Sequence, residues 1–290
     1  MKIARIRDVA AVAGVSTATV SRTLSQPEQV SEETRVRVMA AVKKTGYRIN
    51  RSARNLRKQQ SGEVLILVPN LGNPFFSEIL AGIEETFSGS EYNVLIADSR
   101  DHRAGGRELL AEHLEHTRAD GIIILDGGLS ARARHWLRRQ AAQDDRQVVF
   151  ACEWAEGMEL PIVRSNNRRG AALAIRYLHE LGHTRIAHIT GPQDNILTHA
   201  RRIGVQEELQ RLGPPLRPEW LIHGDFSLDA GYQAARQILA MPERPSAVFC
   251  ASDQMAFGLM AALHAAGVPV PEQLSVLGFD DIELAEYYVP

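Results

Sequence analysis

From Glu63 onward the chain alternates short aliphatic and β-branched runs with amphipathic stretches of 11 to 18 residues, and that rhythm restricts the fold more than any single motif. The runs are VLILVP, YNVLIA, GIIILD and QVVFAC, then IVRSN, RIAHIT, LIHGDF, AVFCAS and LSVLGFD. A strand with one wet face alternates apolar and polar residues. These runs are apolar nearly throughout, as are strands of a parallel sheet covered by helices on both faces. Residues 75–88 and 168–181 have the length and spacing of such covering helices. The rhythm breaks at residues 153–161, which predicts a crossover between two doubly wound α/β lobes, residues 62–152 and 162–290.

The first sixty residues follow another rule. They carry 13 Lys or Arg against 4 Asp or Glu, the other 230 carry 20 against 31, and the whole chain has a net charge of −2. A cationic head on an anionic body is what a polyanion-binding head requires when the body has a separate task. Val9, Ala10 and Ala13 line one face of a first helix, which Gly14 ends. Ser16 caps a second, whose Val20 and Leu24 repeat at i, i+4. A third starts at Ser31, takes Glu32 and Glu33 at its positive end and Lys43 and Lys44 in its last turn, and stops at Gly46. Val38, Met39 and Val42 are expected to face inward.

A three-helix unit of this size, residues 1–47, is only a packing module unless one face is left over. The second helix leaves one. Ser16, Thr17, Ala18, Thr19, Ser21 and Arg22 offer short hydroxyls, a methyl and a guanidinium, a set that enters a major groove without clashing. These groups are expected to reach base edges of double-stranded DNA, with Arg5, Arg7 and Arg35 on phosphates. Residues 48–61 read as a hinge, because NRSARNLRKQQSG is polar and basic with one large apolar side chain, Leu56, and nothing nearby to bury it.

Composition closes other routes. No apolar run approaches the roughly 18 residues of a membrane span, and MKIARIRDVAAVAG has charges where a signal peptide needs an unbroken apolar stretch, so the cytoplasm is the expected compartment and no membrane partner is expected. Cys152 and Cys250 sit in or beside apolar runs and read as buried reduced thiols. The motifs GxxxxGK[ST], GxGxxG and GxSxG are absent from the sequence, so no catalytic residue and no cofactor is expected. Residues 179–183, HELGH, spell the HExxH zinc signature, but Gly182 is placed to end the helix and turn His183 off the face that carries His179. No metal site is expected.

Open α/β lobes bind ligands beyond the carboxyl ends of their strands, so the residues after each run are the candidates for a ligand site. Phe75 and Phe76 follow VLILVP, Glu153 and Trp154 follow QVVFAC, and Asn166 and Asn167 follow IVRS. Arg201 lies in the helix after ITGPQDN, Phe226 closes LIHGDF, Ser252 and Asp253 follow AVFCA, and Asp280 and Asp281 follow LSVLGF. Aromatics for stacking, with amides, carboxylates and one arginine for orientation, suit a small polar ligand.

The run IRDVAAVAGVSTATVSRTL, continued by VSEETRVRVMAAVKKTGYRINRSARNL, resembles the DNA-binding head of the lactose-repressor (LacI) family without a gap over residues 6–56. LGHTRIAHITGP, ASDQMAFG and LSVLGFDDI resemble the same family's core, which is similar to type I periplasmic binding proteins. The resemblance implies a homodimeric, effector-responsive repressor on a near-palindromic operator. It implies a hinge that turns helical on DNA, with Asn50, Arg51 and Arg54 as contacts and Leu56 wedged into the minor groove. It also implies Asn167, Arg201 and Asp280 as effector contacts, with Phe75, Phe76, Trp154 and Phe226 as stacking walls. NPFFSEILAGIE, PERPSAVFC and HGDF are most similar to the cytidine- and purine-responsive members, so a nucleoside or nucleobase is the favoured effector and a sugar the alternative. Asn195 departs from the purine-responsive members, which carry an arginine there, near the base. Members of the family continue past the position of Pro290, so the resemblance further implies that the C-terminal part of the core is missing from this sequence. The rival readings are a small-molecule-binding protein or α/β enzyme with an incidental basic head, and a truncated fragment that no longer signals.

Overall fold

The computed structural model describes residues 4–47, 60–99, 114, 116, 119–142, 147–213 and 217–289. The hinge positions Asn50, Arg51, Arg54 and Leu56 lie outside the described residues. The chain divides into two compact units, Met1–Ser61 and Gly62–Pro290.

The first unit holds α1 (Ile6–Ala13), α2 (Thr17–Ser25) and α3 (Glu32–Thr45), with a short 3-10 turn at Pro27–Gln29. Gly14 and Gly46 end α1 and α3 with φ of 64° and 66°, a region that costs glycine little. Val9, Ala10, Ala13, Val20, Val38 and Ala41 form the buried core, with Leu24 and Val42 packed against it. Met39 does not join them. It is 51% exposed, because Val38 and Val42 stand one turn apart on the inner face while residue 39 is rotated about 100° away. Arg37 donates to the Ala13 carbonyl at 3.2 Å and ties α3 to the end of α1.

The second unit contains two parallel sheets. In the first, β1 (Glu63–Val68), β2 (Asn93–Asp98), β3 (Gly121–Ile124), β4 (Gln147–Ala151) and β5 (Ile162–Val163) lie in the order β2-β1-β3-β4-β5. The helices α4 (Phe75–Phe87) and α5 (Ala131–Ala141) belong to this lobe. In the second, β6 (Ile186–Thr190), β7 (Leu221–His223), β8 (Ala247–Cys250) and β9 (Ser275–Leu277) lie in the order β7-β6-β8-β9. Its helices are α6 (Asn167–Glu180), α7 (Ile196–Leu212), α8 (Leu228–Ala240) and α9 (Asp253–Ala265).

The boundary between the lobes differs from the expected residue 161. By its sequence IVRSN opens the second lobe, yet β5 pairs with β4 in the first sheet, Phe150 opposite Ile162 and Ala151 opposite Val163. The loop after β4 folds back, so that the Cys152 backbone N–H donates to the Val163 carbonyl at 2.8 Å, and the chain leaves the first sheet only after Val163.

Burial on both faces accounts for the unbroken apolar runs of β1, β6 and β8, whereas the edge strand β2 leaves Leu95 and Ile96 40% and 48% exposed. Along β6, Ala187 and Ile189 face a core shared with Ile238, Met255 and Leu259, whereas Ile186 faces one shared with Ile175, Val205 and Leu209. Along β1, Leu65 and Leu67 face one core and Ile66 and Val68 another. Each of the buried Leu, Ile and Val side chains contributes about 1.5–3 kcal/mol relative to exposure. The winding reverses between β1 and β3 and again between β6 and β8, and at such switch points a crevice opens at the carboxyl ends of the strands.

Candidate functional site

The exposed face of α2 is narrower than its composition suggests. Ser16 caps α2, its Oγ accepting from the Thr19 backbone N–H at 3.0 Å, and the Ser16 and Thr19 hydroxyls lie 2.9 Å apart. Both are therefore partly engaged in holding the helix start. Thr17, Ala18 and Arg22 are exposed, while Thr19 and Ser21 are half-buried. Arg5 and Arg7 are exposed on the first turn, where the Arg5 backbone N–H donates to Asp8 Oδ2 at 2.8 Å. Arg35 is engaged by Glu32 one turn before it on α3.

In the second unit, a cavity of about 100 Å³ lies between the carboxyl ends of the two sets of strands. It brings together Phe75, Phe76, Arg201, Phe226 and Asp280, five of the seven expected effector residues. The other two stand apart from it. Asn167 lines an adjoining cavity of about 430 Å³ together with Phe75, Arg201 and Asp280, its Oδ1 accepting from Arg201 Nε at 2.8 Å. Trp154 lines a neighbouring cavity of about 560 Å³, and the Arg164 guanidinium lies over its ring at 4.0 Å.

Arg201 organises the inner cavity. It is 3% exposed, and besides Asn167 it donates to the Ala251 carbonyl and, at 3.3 Å, to Asp280 Oδ1. Its guanidinium lies 3.9 Å above the Phe279 ring and 5.7 Å from that of Phe226. Burial pushes the Asp280 carboxyl up to about 7, with the Arg201 charge pulling it back.

The backbone around this pair is strained. Among the described residues the non-glycine positions of positive φ are Cys152 (70°), Phe226 (69°), Asp280 (114°) and Asp281 (59°), all just beyond strand ends. Such conformations cost about 1–3 kcal/mol each and persist where their surroundings hold them. Asp253 is the holder for Asp280 and Asp281: its backbone N–H donates to the Phe279 carbonyl at 2.8 Å and its Oδ2 accepts from the Ile282 N–H at 3.0 Å. Gly191 serves Phe226, because a Cβ there would come within 2.1 Å of the ring. Ser252 is a cap, accepting from the Met255 N–H at 3.3 Å.

Glu153 and Asn195 also line the cavity, and they meet across the lobes: Asn195 Nδ2 donates to Glu153 Oε1 at 2.8 Å. Nothing in the sequence joins residues 42 apart. Asn70, Asn73, Asp225 and Gln254 line it too, and the first three lie in the NLGNPFF and HGDF segments that follow strands. In the HELGH segment, α6 stops at Glu180, Gly182 has φ 93°, and His183 Nδ1 lies 2.9 Å from Ser246 Oγ, so the two histidines do not share a helix face.

A three-helix head with an exposed polar helix, joined to two parallel lobes whose strand ends enclose a polar and aromatic cavity, defines a ligand-sensing DNA-binding regulator. Residues 5–50 match the bacterial regulatory proteins of the lacI family, and residues 175–290 match the periplasmic binding protein-like domain. Over 287 residues the chain is 39% identical to the HTH-type transcriptional repressor CytR of Escherichia coli K12, covering 99% of this chain and 83% of that protein. The ribose operon repressor of the same strain is 34% identical, with 99% and 86% covered. The lac repressor dimer bound to operator and the anti-inducer ONPF superposes with a TM-score of 0.85 at 29% identity, covering 100% of this chain and 86% of that one. The transcriptional regulator CelR in complex with cellobiose gives 0.69 at 30%, with 98% and 85% covered. The chain belongs to the lacI family and is a DNA-binding transcriptional regulator. These relatives are named as repressors and regulators rather than as enzymes, and among the described residues no helix is long and apolar enough to cross a membrane.

Proposed function

We propose that the chain is a cytoplasmic repressor that binds a near-palindromic operator as a homodimer and is switched by a nucleoside or nucleobase held between its lobes. One observation carries the effector class: Phe75, Phe76 and Phe226 surround a buried Arg201–Asp280 pair in a single cavity. Aromatic faces suit a planar base, and a fixed guanidinium beside a carboxylate suits vicinal ribose hydroxyls. The chain is similar to the transcriptional repressor CytR, and its similarity to the ribose operon repressor keeps a sugar as the alternative. A ligand that binds one degree of lobe closure better than another shifts that equilibrium, and through residues 48–61 the affinity for operator. On the DNA side, Thr17 and Arg22 read bases and Arg5 meets a phosphate, with Ser16, Ala18, Thr19 and Ser21 completing the α2 surface. Asn50, Arg51, Arg54 and Leu56 act from the hinge.

The test is footprinting and fluorescence anisotropy on the chain's own promoter region, with and without cytidine, uridine, adenosine, inosine, the free bases and ribose. A protected near-palindrome is expected, and at least one nucleoside or base should change its affinity tenfold or more. Asp280→Asn and Phe226→Ala should blunt that response while operator binding without ligand persists. A response to ribose alone would replace the base reading with a sugar one, and absence of any protected site would sink the repressor assignment.

A further inference from the structure

Two cavities lie against each other between the lobes. The inner one, about 100 Å³, holds the Arg201–Asp280 pair. The outer one, about 560 Å³, is walled by Gly127, Arg134 and Trp154 on one side and by Asp194 and His199 on the other. Glu153 and Asn195 line both, and their buried 2.8 Å hydrogen bond forms part of the wall between them.

Each partner is fixed from behind by its own lobe. Glu153 Oε2 accepts from the Gly127 N–H at 2.9 Å. Asn195 Oδ1 accepts from the Leu197 and Thr198 N–H groups at 2.8 and 3.2 Å, capping the helix that carries Arg201. A side chain that swings aside strands buried backbone donors, which holds both in place. The bond therefore joins the first lobe directly to the start of α7.

Cavity size turns this geometry into a mechanism. Pockets for small organic ligands run about 300–1,000 Å³. The inner cavity, at about 100 Å³, falls short of that range, the outer one lacks Phe75, Phe76 and Phe226, and a third of about 430 Å³, lined by Phe75, Asn167, Arg201 and Asp280, lacks Phe76 and Phe226. We infer that Glu153 and Asn195 form a bolt between the lobes: made, it divides the two cavities; broken, it merges them into one cleft that admits ligand and frees the second lobe, α7 and Arg201 included, to move from the first. Glu153 is thus a positioning residue, acting on Arg201 through Asn195 and α7. The inference goes beyond the proposed effector class and holds for any ligand of the inner cavity.

A donor–acceptor swap in the intact chain tests it. Asn195→Asp keeps an oxygen to cap α7 but sets two carboxylates face to face. Adding Glu153→Gln restores one donor and one acceptor in reversed order, leaves an amide oxygen for the Gly127 N–H, and returns the net charge to its original value. Spin labels at Arg139→Cys on α5 and Gln210→Cys on α7, both exposed positions, with Cys152 and Cys250 replaced by alanine, report the interlobe distance by double electron–electron resonance. The parent should show a dominant short distance, Asn195→Asp should raise the ratio of long to short distances at least tenfold, and the double variant should return it to the parent value. Glu153→Ala, which removes the bolt without adding charge, should act like Asn195→Asp and takes its place if that variant does not fold. A parent-like distribution in the unbolted variant with helical content intact, or no recovery in the swap, overturns the bolt.

Discussion

Arg201 shows how much a single buried charge can demand of its surroundings. Its guanidinium meets Asn167, the Ala251 carbonyl and Asp280, so Arg201→Ala strands an acceptor set and a carboxylate together. Breaking such a buried pair costs about 3–5 kcal/mol, and urea unfolding should read a loss of that order. Lysine should recover little, because one ammonium does not reproduce a three-way fork. Two other buried groups set opposing pH slopes. His188 is fully buried, stacked 4.9 Å from the Phe249 ring, and burial pulls its pKa down to about 4. Between pH 4 and 6.5 the unfolded chain then binds more protons at this site than the folded one, so stability rises with pH there, by about 3 kcal/mol at most. Asp280, raised to about 7, acts in reverse, its folded form holding a proton the unfolded form has released above its ordinary 3.8. Denaturation across pH 4–7 should therefore show a steeper acid loss in Asp280→Asn than in the parent, and a gain on acidification in His188→Phe. Like slopes in both variants would refute the assignment. The sequence made Arg201, Phe226 and Asp280 legible because each follows a strand or sits on the next helix. Glu153 and Asn195 were legible as residues but not as partners, since the lobes bring them together and no local pattern does. Trp154 also follows β4, and its ring faces Arg164 and the outer cavity.

At the scale of elements, helix ends carry much of the specification. Ser16 caps α2 through Thr19, and Ser16→Ala should cost the head about 1 kcal/mol, read as earlier melting of the first unit. Between α6 and α7, Glu208 takes both Arg176, at 2.8 Å, and Arg211, at 2.6 Å, and hydrogen bonding from Arg211 and then Arg176 draws its pKa down to about 2. A depressed carboxyl adds stability above its ordinary 4.5 that is lost as pH falls toward 2. Both arginines are about half exposed, so solvent screens the pair and Glu208→Gln should cost no more than about 1–2 kcal/mol, less in high salt. The long strands and helices could be read from the chain because two buried faces force an apolar run and one buried face forces a helical stripe. Strand β5 could not be assigned to its sheet, since two residues, with Val163 73% exposed, carry no burial signal and only the fold-back of the preceding loop places them. Met39 was misread for the opposite reason: an apolar side chain beside Val38 looks like core until the helix turns it outward.

For the whole molecule, the uneven charge is a division of labour that salt can expose. The first sixty residues hold 13 of the 33 basic side chains and the remainder is acidic, so attraction to DNA originates in the head and the hinge while the body repels it. Each phosphate neutralised contributes about −0.9 to the slope of log affinity against log salt. On the proposed phosphate contact, Arg5→Ala removes one contact per protomer and therefore about two per dimer. It should lower the slope by nearly 2 while weakening operator and unrelated DNA alike. Arg22→Ala, on the exposed face of α2, should instead flatten the preference among base substitutions in the half-site by about 1–3 kcal/mol at the pair it is proposed to read. Reversing a body charge, Arg139→Glu on α5, should change neither slope nor preference. Anisotropy titrations at four salt concentrations, on operator and on scrambled duplex, separate the three outcomes. A slope unchanged by Arg5→Ala, or one that falls with Arg139→Glu, would place part of the DNA contact on the body and end the division drawn from the charges.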